Sequence, residues 1–183
     1  VNAPGAPLGP WPVSEGLATR ESDRERPIVT QVQSLMLTGM VDDIIIGNAP
    51  ATEDQLIDAA HAFFVQYPEL KVHLGENVSE LERTIAFGAP HLYRGDASDY
   101  MIRDTQPRVT YAKRSIPAHN ATGTIHRGDV LVVNDEYGRY KGELQLALTD
   151  WPNDGRRNVV GSIADDDLVL LGQLTPWMTF NLI

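Results

Sequence analysis

The chain has 183 residues, 25 acidic against 15 basic side chains, a formal charge of -10, 42% hydrophobic residues and no cysteine. This is the composition of an ordinary globular chain, long enough for one domain or two small ones. It excludes disulfides, zinc-thiolate sites and a thiolate nucleophile, and fits a reducing cytoplasm. Nucleic acid is disfavoured because its phosphates require a basic stripe that is absent here. No apolar run nears the roughly 20 residues of a membrane-spanning helix, and no basic-then-apolar leader opens the chain, so neither membrane insertion nor signal-directed export is expected.

Residues 1–16 carry Pro4, Pro7, Pro10 and Pro12 among Gly5, Gly9 and Gly16, which opposes helix and central strand and predicts a long surface loop. The first residue is Val1 and not Met, and the turn-rich opening has no helix or strand period, as expected of a chain joined part-way. From Ile28, the apolar residues Val32, Leu35 and Met36 recur at helical spacing and Gly39 follows as a stop, predicting one amphipathic helix. Residues 41–48 bracket Ile44-Ile45-Ile46 with polar turn residues, predicting a short strand buried on both faces, of the kind found in parallel sheets. Thr52, followed by two acids and Gln55, is a capping-box helix start, with Leu56, Ile57, Ala60 and Phe63 continuing the helix towards Pro68. These are units of an α/β layered fold. A single strand leaves unpaired edges and an uncovered face, so this segment is expected to be incomplete, the rest coming from upstream units, from another molecule or from self-association.

The texture changes after Pro68, which predicts two domains, 1–69 and 70–183. Residues 70–74 alternate, 79–87 read as a short helix, and 109–112, 129–133, 143–148, 158–163 and 167–171 read as strands between turn-forming clusters. Strands at that spacing suggest a closed β-barrel.

Several side chains have chemistry to offer. Asn48, in the loop after the Ile-rich strand, sits where α/β folds bind ligands, and is equally an ordinary polar turn residue. Glu15 is a candidate general acid/base or hydroxyl acceptor, or a solvated loop carboxylate. Arg94, Arg103 and Arg108, with His91 and Asp96, concentrate planar donors suited to a phosphate or carboxylate; their pairing with Asp96, Asp99 and Asp104 is the structural alternative. Tyr137, Tyr140 and Glu143, around a loop between two strands, suit a sugar by stacking and by accepting its hydroxyls, or form only a turn. The five histidines lack metal-ligand spacing, and neither a nucleophile elbow nor a phosphate loop is present. Trp151, Trp177 and Phe180 read as core or barrel-end plugs.

The run Arg127 to Asp135, then Tyr137 to Leu148 with its GELQLAL stretch, Asn158-Val159-Val160-Gly161 and the late Pro176-Trp177 resemble one bacterial family, first labelled outer surface protein and later associated with 6-phospho-N-acetylmuramidase activity. Upstream, Gly9-Pro10, Glu15-Gly16-Leu17, Thr19, Glu21 and Arg24 agree, as do Asp43 to Asn48 and then His91, Arg94, Asp96, Ile102, Arg103 and Arg108. The chain departs from the family pattern at Ala18 for proline, Tyr93 for asparagine and Asn48 for aspartate, and lacks a histidine before Arg24.

The resemblance implies a protein of about twice this length, with an N-terminal (β/α)8 TIM barrel and a C-terminal cyclophilin-like closed β-barrel. Residues 1–69 would be the last barrel units and 70–183 the small β-barrel. It implies a cytoplasmic glycosidase of cell-wall sugar recycling that cleaves N-acetylmuramic acid 6-phosphate from N-acetylglucosamine with no cofactor or metal, using two carboxyl groups. Most of the barrel being absent, this chain alone is expected to be inactive. Its substrate-binding set would be Glu15, Asn48, Arg94, Asp96, Arg103, Arg108, Tyr137, Tyr140 and Glu143, with Glu15 the one catalytic candidate. The alternative is a non-catalytic β-barrel that binds a carbohydrate or a partner, or only buttresses the larger barrel.

Overall fold

A computed structural model describes residues 1–7, 9 and 20–183. The chain divides into two units, Val1–Pro68 and Glu69–Ile183.

In the first unit, a 3-10 turn at Glu21–Asp23 precedes helices α1 (Ile28–Met36) and α2 (Glu53–Phe64). Helix α1 buries Ile28, Val32 and Leu35, and also Gln31, Gln33 and Ser34, so burial extends beyond its apolar stripe. Gln31 is satisfied there by the backbone of Asn2, accepting from its N–H at 2.9 Å and donating to its carbonyl at 3.0 Å. Gly39 takes φ 65°, the left-handed conformation that closes the turn after the helix. Thr52 and Gln55 form the reciprocal cap of α2, Gln55 N–H donating to Thr52 Oγ1 at 3.2 Å and Thr52 N–H to Gln55 Oε1 at 2.9 Å. Ile28, Val32 and Ala62 make the core between the helices, with Val1, Ile44, Ile46 and Phe63 against it.

Residues 41–48 differ from the buried strand expected of them. They form no strand, and among the described residues their backbone pairs with Val1, whose ammonium donates to Ile45 O at 2.9 Å and whose carbonyl accepts from Gly47 N–H at 2.8 Å. Reaching Ile45 and Gly47 from one residue is the parallel pairing pattern. With no second strand among the described residues of this unit, Ile45 is 79% exposed. Of the surface loop expected over residues 1–16, the described residues 1–7 and 9 form neither helix nor strand; Pro4, Gly5, Pro7 and Gly9 are exposed whereas Ala3 and Ala6 are buried, and the rest of the loop lies outside the described residues.

The second unit contains ten short strands and three helices. Its central sheet has the order β2 (Val72–Leu74), β9 (Arg157–Ile163), β6 (Asp129–Val133), β7 (Leu144–Ala147) and β4 (Met101–Asp104), antiparallel throughout. A second sheet sets β10 (Thr179–Leu182) between β1 (Glu69–Leu70), parallel to it, and β3 (His91–Leu92), antiparallel. Strands β5 (Thr124–Ile125) and β8 (Trp151–Pro152) pair alone. Helix α3 (Glu80–Phe87) starts on a Ser79/Glu82 capping box. Leu70, Ile85, Ile102, Leu144, Leu146, Leu170, Leu171 and Phe180 are among the fully buried side chains.

Two expected strands are helices. Residues 106–111 form α4 (Gln106–Tyr111), where Pro107 supplies a fixed φ and no N–H at the first turn, and Asp104 Oδ1 takes the Gln106 N–H at 2.9 Å. The acidic run before Leu168 forms a 3-10 turn leading into α5 (Leu168–Leu171), fixed by Asp167 Oδ2 accepting from Lys71 N–H at 2.8 Å.

Candidate functional site

Period-two alternation sorts the central sheet. Arg103 of β4 lies opposite Gln145 of β7, and Met101 opposite Ala147, so these side chains share a face. One end of that face is apolar, with Leu131 and Ala147 beneath Ile125, Trp151 and Val159. The other end is polar and opens into a cleft of about 310 Å³ lined by residues 96–98, Met101, Arg103, Tyr137, Tyr140, Gln145 and Arg157.

The floor is an ion-paired network. Arg103 donates from Nε and Nη2 to the two oxygens of Glu143 at 2.7 and 3.0 Å, and from Nη1 to Asp96 at 3.4 Å. Gln145 donates to Glu143 at 2.8 Å and accepts from Arg157 Nε at 2.8 Å, while Arg157 Nη1 reaches Asp154 at 3.1 Å. Its Nη2 has no hydrogen-bond partner among the described residues, and neither do the hydroxyls of Tyr137 and Tyr140. The Glu143 hydrogen bonds hold the Arg103 guanidinium above its ordinary pKa despite burial, so the charge is permanent.

The walls are aromatic. Asn134 shapes the loop that carries them: its side chain accepts from Glu136 N–H at 3.0 Å and donates to Gly155 O at 3.0 Å and to Asn158 at 2.8 Å. Gly142 then turns the chain into β7 at φ 84°, with Arg108 so close that an added Cβ would lie 3.3 Å from its Cα. Tyr137 and Tyr140 meet edge to face at 4.9 Å. Arg103, Arg108 and Arg139 lie 5.2, 5.0 and 5.7 Å from the Tyr140 ring centre, and Arg156 and Arg157 lie 5.0 and 5.8 Å from that of Tyr137. A chain of charge -10 thus gathers five guanidinium groups around two phenol rings, an arrangement suited to a small anion bearing a ring.

Of the residues singled out in the sequence, Asp96, Arg103, Tyr137 and Tyr140 meet in this cleft. Arg94 stands at its margin, paired with Asp96 at 2.8 Å, and Arg108 reaches Glu143 at 3.9 Å. Glu143 is fully buried beneath Arg103, so it positions the guanidinium and presents no free oxygen. Asn48 belongs to the first unit, where its amide accepts from Ala3 N–H at 2.7 Å and donates to Ala3 O at 2.9 Å. Glu15 lies outside the described residues. Gln145 and Arg157 are cleft residues that sequence reasoning missed. Among the described residues, no group of three or more His, Asp or Glu side chains could hold a metal ion, and no helix is long and apolar enough to cross a membrane.

A separate polar cluster lies around Glu82, which accepts from Ser79 N–H and Oγ, from His119 Nε2 and from Asn158. Burial pushes its pKa up, but the hydrogen bonds from Asn158, Ser79 and His119 outweigh that and hold it below the ordinary value.

Residues 68–183 match the family model for the C-terminal region of 6-phospho-N-acetylmuramidase, and residues 1–61 that for its N-terminal region. The chain belongs to the 6-phospho-N-acetylmuramidase family. It is similar to a solved B. cereus protein described as uncharacterized, at 37% identity and TM-score 0.89 over 97% of this chain and 51% of that one. It also resembles a conserved Enterococcus faecalis protein of unknown function, at 26% identity and TM-score 0.73 over 100% of this chain and 48% of that one. The chain therefore spans about half the length of these solved relatives. No curated protein matches it.

Proposed function

We propose that this chain is the C-terminal half of a 6-phospho-sugar glycosidase, in which residues 1–68 complete a (β/α)8 barrel and residues 69–183 are a cyclophilin-like β-barrel that binds the acidic sugar. The whole protein hydrolyses the bond between N-acetylmuramic acid 6-phosphate and N-acetylglucosamine, a cytoplasmic step of cell-wall sugar recovery that needs no cofactor. Family membership carries this proposal. Two structural features support it: the parallel pairing of Val1 beside an exposed Ile45, as expected of barrel strands awaiting neighbours, and a guanidinium-rich cleft in an acidic chain.

The division of labour follows from carboxylate chemistry. Glycoside hydrolysis uses two carboxyl groups flanking the bond, roughly 5 to 9.5 Å apart. Among the described residues Asp96 is the one carboxylate lining the cleft, and it is engaged by Arg94 and Arg103. The cleft is therefore assigned to recognition, with Arg103 and Arg157 facing the phosphate or lactyl carboxylate and Tyr137 and Tyr140 against the ring. The acid pair is assigned to barrel loops, Glu15 remaining the candidate in this chain. The same shortage of carboxylates favours the second reading, a carbohydrate-binding module without chemistry.

The deciding experiment follows release of N-acetylmuramic acid 6-phosphate from its disaccharide with N-acetylglucosamine by the full-length protein, beside an unphosphorylated control. Cleavage of the phosphorylated sugar only, and by the full-length protein only, is expected. No cleavage of either sugar would leave the binding module.

A further inference from the structure

Trp177 is not the plug its sequence context suggests: it is 70% exposed, and its backbone has φ 74°. The cause is a tight turn over Thr175-Pro176-Trp177-Met178, closed by Met178 N–H donating to Thr175 O at 3.0 Å. Proline at the second position and positive φ at the third are the marks of a type II turn, whose third position is ordinarily glycine or asparagine. A bulky aromatic residue there costs strain that a glycine would avoid. Two further backbone bonds pin the turn, Trp177 N–H to Tyr93 O at 2.8 Å and Tyr93 N–H to Met178 O at 2.9 Å.

The indole packs closely against the chain at Gly95, where any Cβ would overlap its six-membered ring and crowd Nε1. Gly95 stands between Arg94 and Asp96, and Asp96 lines the cleft. An exposed indole carried on a pinned, strained turn thus adjoins an arginine-lined cavity. Core packing does not explain it, because most of the side chain faces solvent.

We propose that Trp177 is a stacking platform for a second, uncharged pyranose ring, extending the cleft into a site for a disaccharide whose acidic sugar sits among Arg103, Arg157, Tyr137 and Tyr140; this rests on the phosphosugar reading of the cleft. An exposed aromatic face suits the apolar C–H face of a pyranose, and its small rotamer freedom keeps the ordering cost low. Gly95 is the permissive residue, since only a residue without Cβ admits the indole.

The test is calorimetric titration of this chain and of Trp177→Ala with three probes: N-acetylmuramic acid 6-phosphate, its disaccharide with N-acetylglucosamine, and N,N′-diacetylchitobiose. Near-ultraviolet circular dichroism checks the fold of the variant. The substitution is expected to weaken the disaccharide about tenfold more than the monosaccharide, the scale of one aromatic stacking contact. Equal weakening of both phosphosugars, or of neither, overturns the platform and leaves the cleft reading intact. Binding of diacetylchitobiose alone, lost on Trp177→Ala, keeps the platform and overturns the phosphosugar reading. Binding of no probe by the unaltered chain overturns both.

Discussion

Arg103 and Glu143 are joined at two points, Nε to Oε1 at 2.7 Å and Nη2 to Oε2 at 3.0 Å, the carboxylate fully buried and the guanidinium side chain 20% exposed. The acid is spent in orienting the base. Because Gln145 and Arg108 also converge on Glu143, removing the carboxylate strands several cationic or polar donors in a low-dielectric pocket. Glu143→Ala is expected to lower unfolding free energy by about 3 to 5 kcal/mol, the range for breaking one side of a buried ion pair. Urea denaturation at neutral pH measures it, and a loss below about 1 kcal/mol would show that the pair is not the floor of the site.

Glu82 gives a pH dependence with a definite sign. Its hydrogen bonds hold the folded-state pKa below the ordinary glutamate value of about 4.3, so the carboxylate is more stable in the folded chain than in the unfolded one. The resulting stabilisation is present above the unfolded pKa and is lost as pH falls through the folded one. Denaturation midpoints of the unaltered chain and of Glu82→Gln are expected to differ at pH 7 and to converge as pH falls below the ordinary glutamate value of about 4.3. A constant separation across that range would contradict the shift.

The sequence resemblance implies an aspartate at position 48, and the contacts of Asn48 explain why an amide fits there. One end of the side chain accepts from Ala3 N–H and the other donates to Ala3 O. A carboxylate would keep the first bond and set an oxygen against the carbonyl. Asn48→Asp is expected to destabilise the first unit by about 1 to 2 kcal/mol, the cost of an unmet polar contact. Thermal unfolding reads this out, and an unchanged or raised midpoint would show that the amide is not needed.

Local signals were legible where one segment decides its own structure. Thr52 with Gln55 and Ser79 with Glu82 announce their helices because cap and partner are three residues apart. Residues 109–112 read as a strand because their β-prone side chains mask the helix that Pro107 and Asp104 start. The cleft was half legible. Arg103, Tyr137 and Tyr140 stand out by chemistry, whereas Gln145 and Arg157 hide in strand runs. A signal for Gln145 was present: in Glu143-Leu144-Gln145-Leu146 the two polar residues alternate with leucines, and a strand with polar side chains on a covered face must satisfy them together. Trp177 was illegible, because its exposure depends on a turn and on a glycine some eighty positions earlier in the chain.

The cleft beneath Tyr137 and Tyr140 is proposed to recognise a phosphorylated acidic sugar. Calorimetry at low ionic strength with N-acetylmuramic acid 6-phosphate and with unphosphorylated N-acetylmuramic acid tests this, using this chain and Arg157→Ala, which removes a guanidinium whose Nη2 has no hydrogen-bond partner among the described residues. The phosphorylated sugar is expected to bind at least about tenfold more tightly, and Arg157→Ala to erase most of that preference, in keeping with the strength of charge-assisted hydrogen bonds. Equal affinity for the two sugars, or a preference that survives Arg157→Ala, would contradict it.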